Sequence, residues 1–172
     1  IKNRSFEFPD PMMGWFKIIP SMARGDVTVQ DQDPFLAANP HYLRIRSEAA
    51  APLGVCNQGF RGIGLRAGET YAFSAQVRGV EGTPKLTVEL VAHDGTVLAS
   101  AVLEGIRTQW QKIQARLRPK ETDPKAGLNL IVEGKGAVDL DMVSLFPRKT
   151  WKGRPCGLRA DVAQMLADLK PG

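Results

Sequence analysis

Apolar and polar residues alternate along much of this 172-residue chain. In residues 70–78, Tyr71, Phe73, Ala75 and Val77 fall on one face with polar side chains between them. Residues 85–92 repeat the pattern with Leu86, Val88, Leu90 and Ala92. Ile113, Ala115 and Leu117 do the same, as do Leu128, Leu130 and Val132. A period of two over several segments predicts half-buried antiparallel strands. Further strands are predicted at 3–8, 26–30, 42–47 and 60–65. Turn residues separate the segments: 79–84, His93-Asp94-Gly95, 121–124 and 134–136.

The last predicted strand, 138–146, opens with Val138, Leu140 and Met142 on one face and closes with Val143 and Leu145 on the other. Such a change of side predicts a bulge, or a strand buried on both faces near its end. Nine or ten short strands with no helix between them predict an all-β fold, a jelly-roll β-sandwich. After Pro147 the pattern changes. Residues 151–157 form a basic linker containing Gly and Pro. Leu158, Val162, Met165, Leu166 and Leu169 then recur at helical spacing, with Pro171-Gly172 as the stop. The chain therefore divides into a sandwich over 1–147 and, over 148–172, a linker with one C-terminal α-helix. A single helix with one apolar stripe must bury it. The partner expected is a following domain, with docking on the sandwich as the alternative.

Composition narrows the function. The chain is 43% hydrophobic, enough for an ordinary core, and no apolar run approaches the length of a membrane span. It lacks an initiator Met and a signal-peptide pattern, so it reads as a trimmed piece. The net charge of +5 is spread along the chain, which argues against nucleic acid as a partner. Cys56 and Cys156 lie far apart, a spacing unsuited to zinc; two free thiols are favoured over a disulfide. Gly62-Ile63-Gly64 precedes a strand rather than a helix and is no dinucleotide loop. His93 reads as a turn residue, and His41 has no Cys or Ser near it in sequence.

Two carboxylates stand out. Glu7 and Asp141 are each embedded among apolar residues, where a carboxylate needs a cation or hydrogen-bond donors. A structural calcium between the first and last strands meets that need; so does an ordinary hydrogen bond or an Arg pair. Sugars stack their C–H faces on aromatic rings while flanking polar groups read the hydroxyls. Trp15, Phe16, Tyr42, Phe60 and Trp110 are the aromatics weighed for that role. Trp15 follows a Pro-rich turn, Tyr42 shares its segment with Arg44 and Arg46, and Asn57, Gln58 and Arg61 surround Phe60. Each ring has core packing as its alternative, and Trp110, at the start of a strand, is expected to pack. The carbohydrate-binding set is Trp15, Tyr42, Arg44, Asn57, Phe60 and Arg61.

These residues carry a resemblance. Asn3-Arg4-Ser5-Phe6-Glu7-Phe8 with Gly14-Trp15 resembles the opening of carbohydrate-binding modules of the family four and nine type, whose fold is galactose-binding-like, and Leu140-Asp141-Met142-Val143-Ser144-Leu145 resembles their closing strand. Asn39-Pro40-His41-Tyr42-Leu43-Arg44, Gly59-Phe60-Arg61-Gly62-Ile63, Thr150-Trp151-Lys152-Gly153-Arg154-Pro155 and the stretch from Gly157 to Gly172 resemble the N-terminal region of bacterial α-L-arabinofuranosidases. The resemblance spans nearly the whole chain, although 81–126 matches only in strand pattern. Cys156 and Cys56-Asn57-Gln58-Gly59 depart from it. It implies a non-catalytic module before a (β/α)-barrel of the same chain, which supplies both catalytic glutamates of a retaining mechanism. It implies plant cell-wall polysaccharide or oligosaccharide as partner, no membrane, and a periplasmic or extracellular location. A purely structural domain that packs on the barrel is the alternative.

Overall fold

The computed structural model describes residues 1–154, 157 and 160–169. Eleven strands occur in chain order: β1 (Trp15–Ile18), β2 (Gly25–Gln30), β3 (Tyr42–Ser47), β4 (Leu53–Asn57), β5 (Ile63–Leu65), β6 (Tyr71–Gly82), β7 (Lys85–Val91), β8 (Val97–Leu103), β9 (Gln111–Leu117), β10 (Asp123–Glu133) and β11 (Gly136–Pro147). One sheet has the order β1-β4-β10-β7-β8 with β5 paired to β10; the other has β2-β3-β11-β6-β9. Every pairing is antiparallel. The two sheets stack as the expected jelly-roll sandwich.

The alternating residues meet between the sheets. Phe73 and Val77 of β6 and Leu140 of β11 face Leu86, Val88 and Leu90 of β7 and Leu128, Leu130 and Val132 of β10, all of them buried. Each such side chain removed from water contributes roughly 1.5–3 kcal/mol. The change of side in the last strand is a bulge: the β11–β6 register shifts between Asp141 and Ser144, and Met142 has φ 52°. The slip lets both Leu140 and Val143 reach the core.

The opening differs from expectation. Residues 3–8 form turns rather than a strand, because Asn3 and Phe6 have φ of 50° and 58°. Phe6 instead plunges into the core and packs on Trp15, ring centroids 5.3 Å apart. Strands β1, β4 and β8 lack a clear alternation and were not anticipated; β4 is buried almost throughout. Only the last part of the predicted strand at 60–65 is extended, as β5.

Trp151–Gly153 forms a 3-10 turn, followed by helix α1 (Ala160–Asp168). Val162, Met165, Leu166 and Leu169 are exposed, and α1 packs against the 3-10 turn. Cys156, Leu158 and the Pro171-Gly172 stop lie outside the described residues.

Candidate functional site

The expected sugar-binding residues separate onto two surfaces. Tyr42 and Arg44 belong to the outer face of the β2-β3-β11-β6-β9 sheet. There Arg44 donates to Asp139 through Nε (2.7 Å) and Nη2 (2.9 Å), and Arg78 donates to the same carboxylate from across the sheet (2.8 Å). Asp139 is fully buried. The Arg78 guanidinium lies 5.2 Å from the Tyr42 ring centre and 4.7 Å from that of Trp110. The β2–β3 loop closes over the assembly: Gln32 O accepts from the Tyr42 hydroxyl (2.6 Å), and Asp33 O accepts from Arg78 (3.0 Å) and the Trp110 indole (3.1 Å). Burial raises the Tyr42 phenol above its ordinary value, and Asp139 adds to the rise. Tyr42 is 1% exposed. Its ring is committed to this network and presents no face to a ligand. Trp110, expected to pack, is half-buried on this outer face, its ring edge-on to Tyr42 with centroids 5.3 Å apart, and is not part of the core between the sheets.

Trp15 is also a core residue. It is 4% exposed, and its indole donates to Asn3 O (2.9 Å). The Pro-rich turn before it does not leave it in solvent, because Phe6 and Asn3 fold over it.

Phe60 and Arg61 lie elsewhere, beside the β1 and β4 edge of the other sheet. Phe60 is 77% exposed and Phe16 of β1 is 56% exposed. They line a groove of about 390 Å³ with Lys2, Gln58, His93 and Lys125. Asn57, fully buried at the end of β4, lies under this groove and shapes it. Its Oδ1 accepts from the backbone N–H of Gly59 (2.9 Å), and its side chain also holds the Lys2 backbone. Asn57 thus holds the turn from beneath and does not itself line the groove. The turn closes with Gly62 N–H donating to Gln58 O (2.8 Å). Gly62 has φ 97°, and a Cβ there would come within 2.5 Å of the Lys125 Cα, so only glycine lets the turn lie against β10. Lys2, His93 and Lys125 were not anticipated, since they come from three separate segments. A larger concavity, about 690 Å³, runs between residues 79–84 and 103–108, but among the described residues no aromatic ring lines it.

On the rim of the Phe60 groove, the buried Asp123 carboxylate accepts from the His93 N–H (2.8 Å), contacts His93 Nδ1 (2.8 Å) and accepts from the Lys125 N–H (2.7 Å). These hydrogen bonds hold Asp123 down to about 2 and raise His93 above its ordinary value. His93 therefore does more than fill a turn.

Glu7 and Asp141 are neighbours, close enough for the charge of Glu7 to raise Asp141. Both Glu7 oxygens meet His41, at its N–H (2.8 Å) and at Nδ1 (2.6 Å). Asp141 is fully buried. Its Oδ1 accepts from the Met142 N–H (2.6 Å), while Oδ2 has no partner among the described residues. Burial first, and Glu7 second, push its carboxyl up to about 6. An orphaned buried carboxylate oxygen fits either a proton or a hard cation. Among the described residues, no three His, Cys, Asp or Glu side chains cluster as a metal site, so a cation here would draw on backbone carbonyls as well. Cys56 is a free, half-buried thiol, raised by burial.

No family model matches the chain. Its similarity is nevertheless consistent. It is 34% identical over its full length to the extracellular exo-α-L-arabinofuranosidase of Streptomyces chartreusis, covering 20% of that protein. It is 35% identical over 69% of its length to α-L-arabinofuranosidase 1 of Arabidopsis thaliana, covering 18% of that protein. Among solved structures, the arabinose-bound MgGH51 α-L-arabinofuranosidase superposes on the whole chain with a TM-score of 0.83 at 31% identity, over 30% of its own length. A CBM22-1–GH10 xylanase fragment of Clostridium thermocellum shares the fold at 17% identity, with a TM-score of 0.57. The chain is related to the α-L-arabinofuranosidases and resembles their sandwich region, as its sequence indicated. It spans between 18% and 30% of the length of these relatives.

Proposed function

We propose that this chain is the non-catalytic sandwich module of an α-L-arabinofuranosidase-like glycoside hydrolase, and that it holds arabinose-containing plant polysaccharide along the Phe60 groove. The observation that carries the reading is the exposed Phe60 ring, set among polar side chains on a rigid sandwich edge. An open ring beside hydrogen-bonding groups suits a pyranose or furanose face, whereas a buried ring does not. Arg61 reads hydroxyls, Phe16 extends the platform, and Asn57 fixes the turn. Affinity electrophoresis on arabinan, arabinoxylan and arabinogalactan tests the reading. Retardation on at least one of them, lost in Phe60→Ala, is expected; migration unchanged on all three contradicts it.

Hydrolysis belongs, on this reading, to a catalytic barrel of the same protein. The exposed stripe of Val162, Met165 and Leu166 on α1, continued by Leu169 just after it, is the surface that meets it. Pure chain incubated with an aryl α-L-arabinofuranoside should release nothing. The extracellular naming of the Streptomyces relative supports a secreted parent. Among the described residues no helix is long and apolar enough to cross a membrane. A calcium ion on Asp141, with Glu7 as neighbour, completes the proposal; the unpartnered Oδ2 supports it.

That stripe also supports a second reading, in which the sandwich packs on the barrel and binds no sugar. Unchanged migration on all three polysaccharides favours it.

A further inference from the structure

The charge of the Phe60 groove has a consequence for ligand class. Four of its lining side chains, Lys2, Arg61, His93 and Lys125, are basic, and among the described residues no Asp or Glu lines it. The nearest buried carboxylate, Asp123, is spent on the N–H groups of His93 and Lys125 and on the imidazole. Nor are the cations loosely placed. The Lys2 side chain runs over Gly14, where a Cβ would come within 2.9 Å of its Cδ, and its Nζ ends 5.7 Å from the centre of the Phe60 ring. Arg61 and Lys125 are brought together by the contact of Gly62 with the β10 backbone. A ring for stacking, with the Lys2, Arg61 and Lys125 cations beside it and His93 paired to Asp123 through Nδ1, selects a sugar that carries negative charge.

We infer that the groove recognises acidic oligosaccharide, with uronate carboxylates paired to Lys2, Arg61, His93 and Lys125 while a sugar face rests on Phe60. This inference rests on the groove being a sugar site and adds the ligand's charge. His93 makes recognition pH-dependent. The groups around it are Asp123, Asp94 and Lys125; the hydrogen bond and charge of Asp123 raise the imidazole above its ordinary value, so binding weakens as pH rises and the ring loses its proton.

Calorimetric titration with short oligogalacturonates, and with the same oligomers after reduction of their carboxyl groups to alcohols, tests the inference. The acidic form should bind about tenfold more tightly at low salt, an advantage that shrinks as salt screens the charges. Lys125→Gln and Arg61→Gln should each remove part of the advantage. Lys112→Gln, an exposed lysine on the opposite sheet, should not. Phe60→Ala should weaken both forms alike, and His93→Gln should flatten the pH dependence. Equal affinity for the two forms overturns the charge selectivity while leaving the groove as a sugar site. Binding that ignores Phe60→Ala, and that dextran sulfate reproduces, reduces the site to a general polyanion surface and overturns the inference. No binding of either form, together with no retardation on neutral polysaccharide, removes the groove as a sugar site altogether.

Discussion

Asn57 grips Lys2 by both of its backbone groups: Oδ1 accepts the Lys2 N–H at 3.2 Å and Nδ2 donates to Lys2 O at 2.9 Å. The same oxygen holds Gly59. One buried amide thereby joins the opening segment to the turn that carries Phe60. Asn57→Ala strands these groups and should cost roughly 1–3 kcal/mol in urea denaturation. It should also weaken sugar binding although Asn57 touches no ligand. Asn57→Asp keeps the acceptor, loses the donated bond and should fall between.

Phe60→Ala should do the reverse. The ring is 77% exposed, so stability should change by less than about 0.5 kcal/mol. Affinity should fall roughly tenfold, equivalent to about 1.4 kcal/mol. Loss of both together, measured on one preparation, would show that the ring is packing rather than platform.

Asp139 carries the opposite surface. With Arg44 and Arg78 both donating to its fully buried carboxylate, Asp139→Ala should cost roughly 3 kcal/mol and loosen the β2–β3 loop. Sugar affinity of the folded variant should stay at the wild-type level, because the Phe60 groove belongs to the other sheet. Chemical denaturation and titration on the same variant check both halves.

Asp141 predicts a pH dependence of stability. Its folded carboxyl titrates near 6, above the ordinary value of about 4. The folded state thus holds the proton more tightly than the unfolded chain. The stability this provides is complete below about pH 4 and is lost as pH rises through 6. Asp141→Asn should abolish the decline in metal-free buffer. If calcium takes the Oδ2 position, adding it at pH 8 should raise the Tm of the wild type and not of Asp141→Asn. No rise in the wild type assigns that oxygen to a proton.

The sandwich was legible because burial on one face imposes a period of two, and β6, β7, β9 and β10 show it openly. The side change at Met142 and Val143 pointed to a bulge or to burial on both faces, and the register shift between Asp141 and Ser144 decides for the bulge. Strand β4 was hidden because Leu-Gly-Val-Cys-Asn is buried almost throughout and does not alternate. Residues 3–8 misled because Phe6 and Phe8 alternate like a strand, while the positive φ of Asn3 and Phe6 comes from tertiary packing on Trp15. Phe60 and Arg61 were singled out through their polar neighbours, and both line the groove. Trp15 was proposed because it follows a Pro-rich turn and Tyr42 because Arg44 and Arg46 share its segment; neither local feature says which rings the fold encloses. Lys2, His93 and Lys125 reach the groove only through the pairing of β1, β4 and β10, which no local pattern reports.

The most direct measurement is a two-dimensional amide spectrum of the labelled chain during titration with arabinoxylan oligosaccharide. The account predicts shifts concentrated at Phe16, at Gly59 to Gly62 and at Lys125, with the Tyr42–Arg44 surface silent. Shifts confined to the Tyr42–Arg44 surface, or no shifts at saturating sugar, would contradict it.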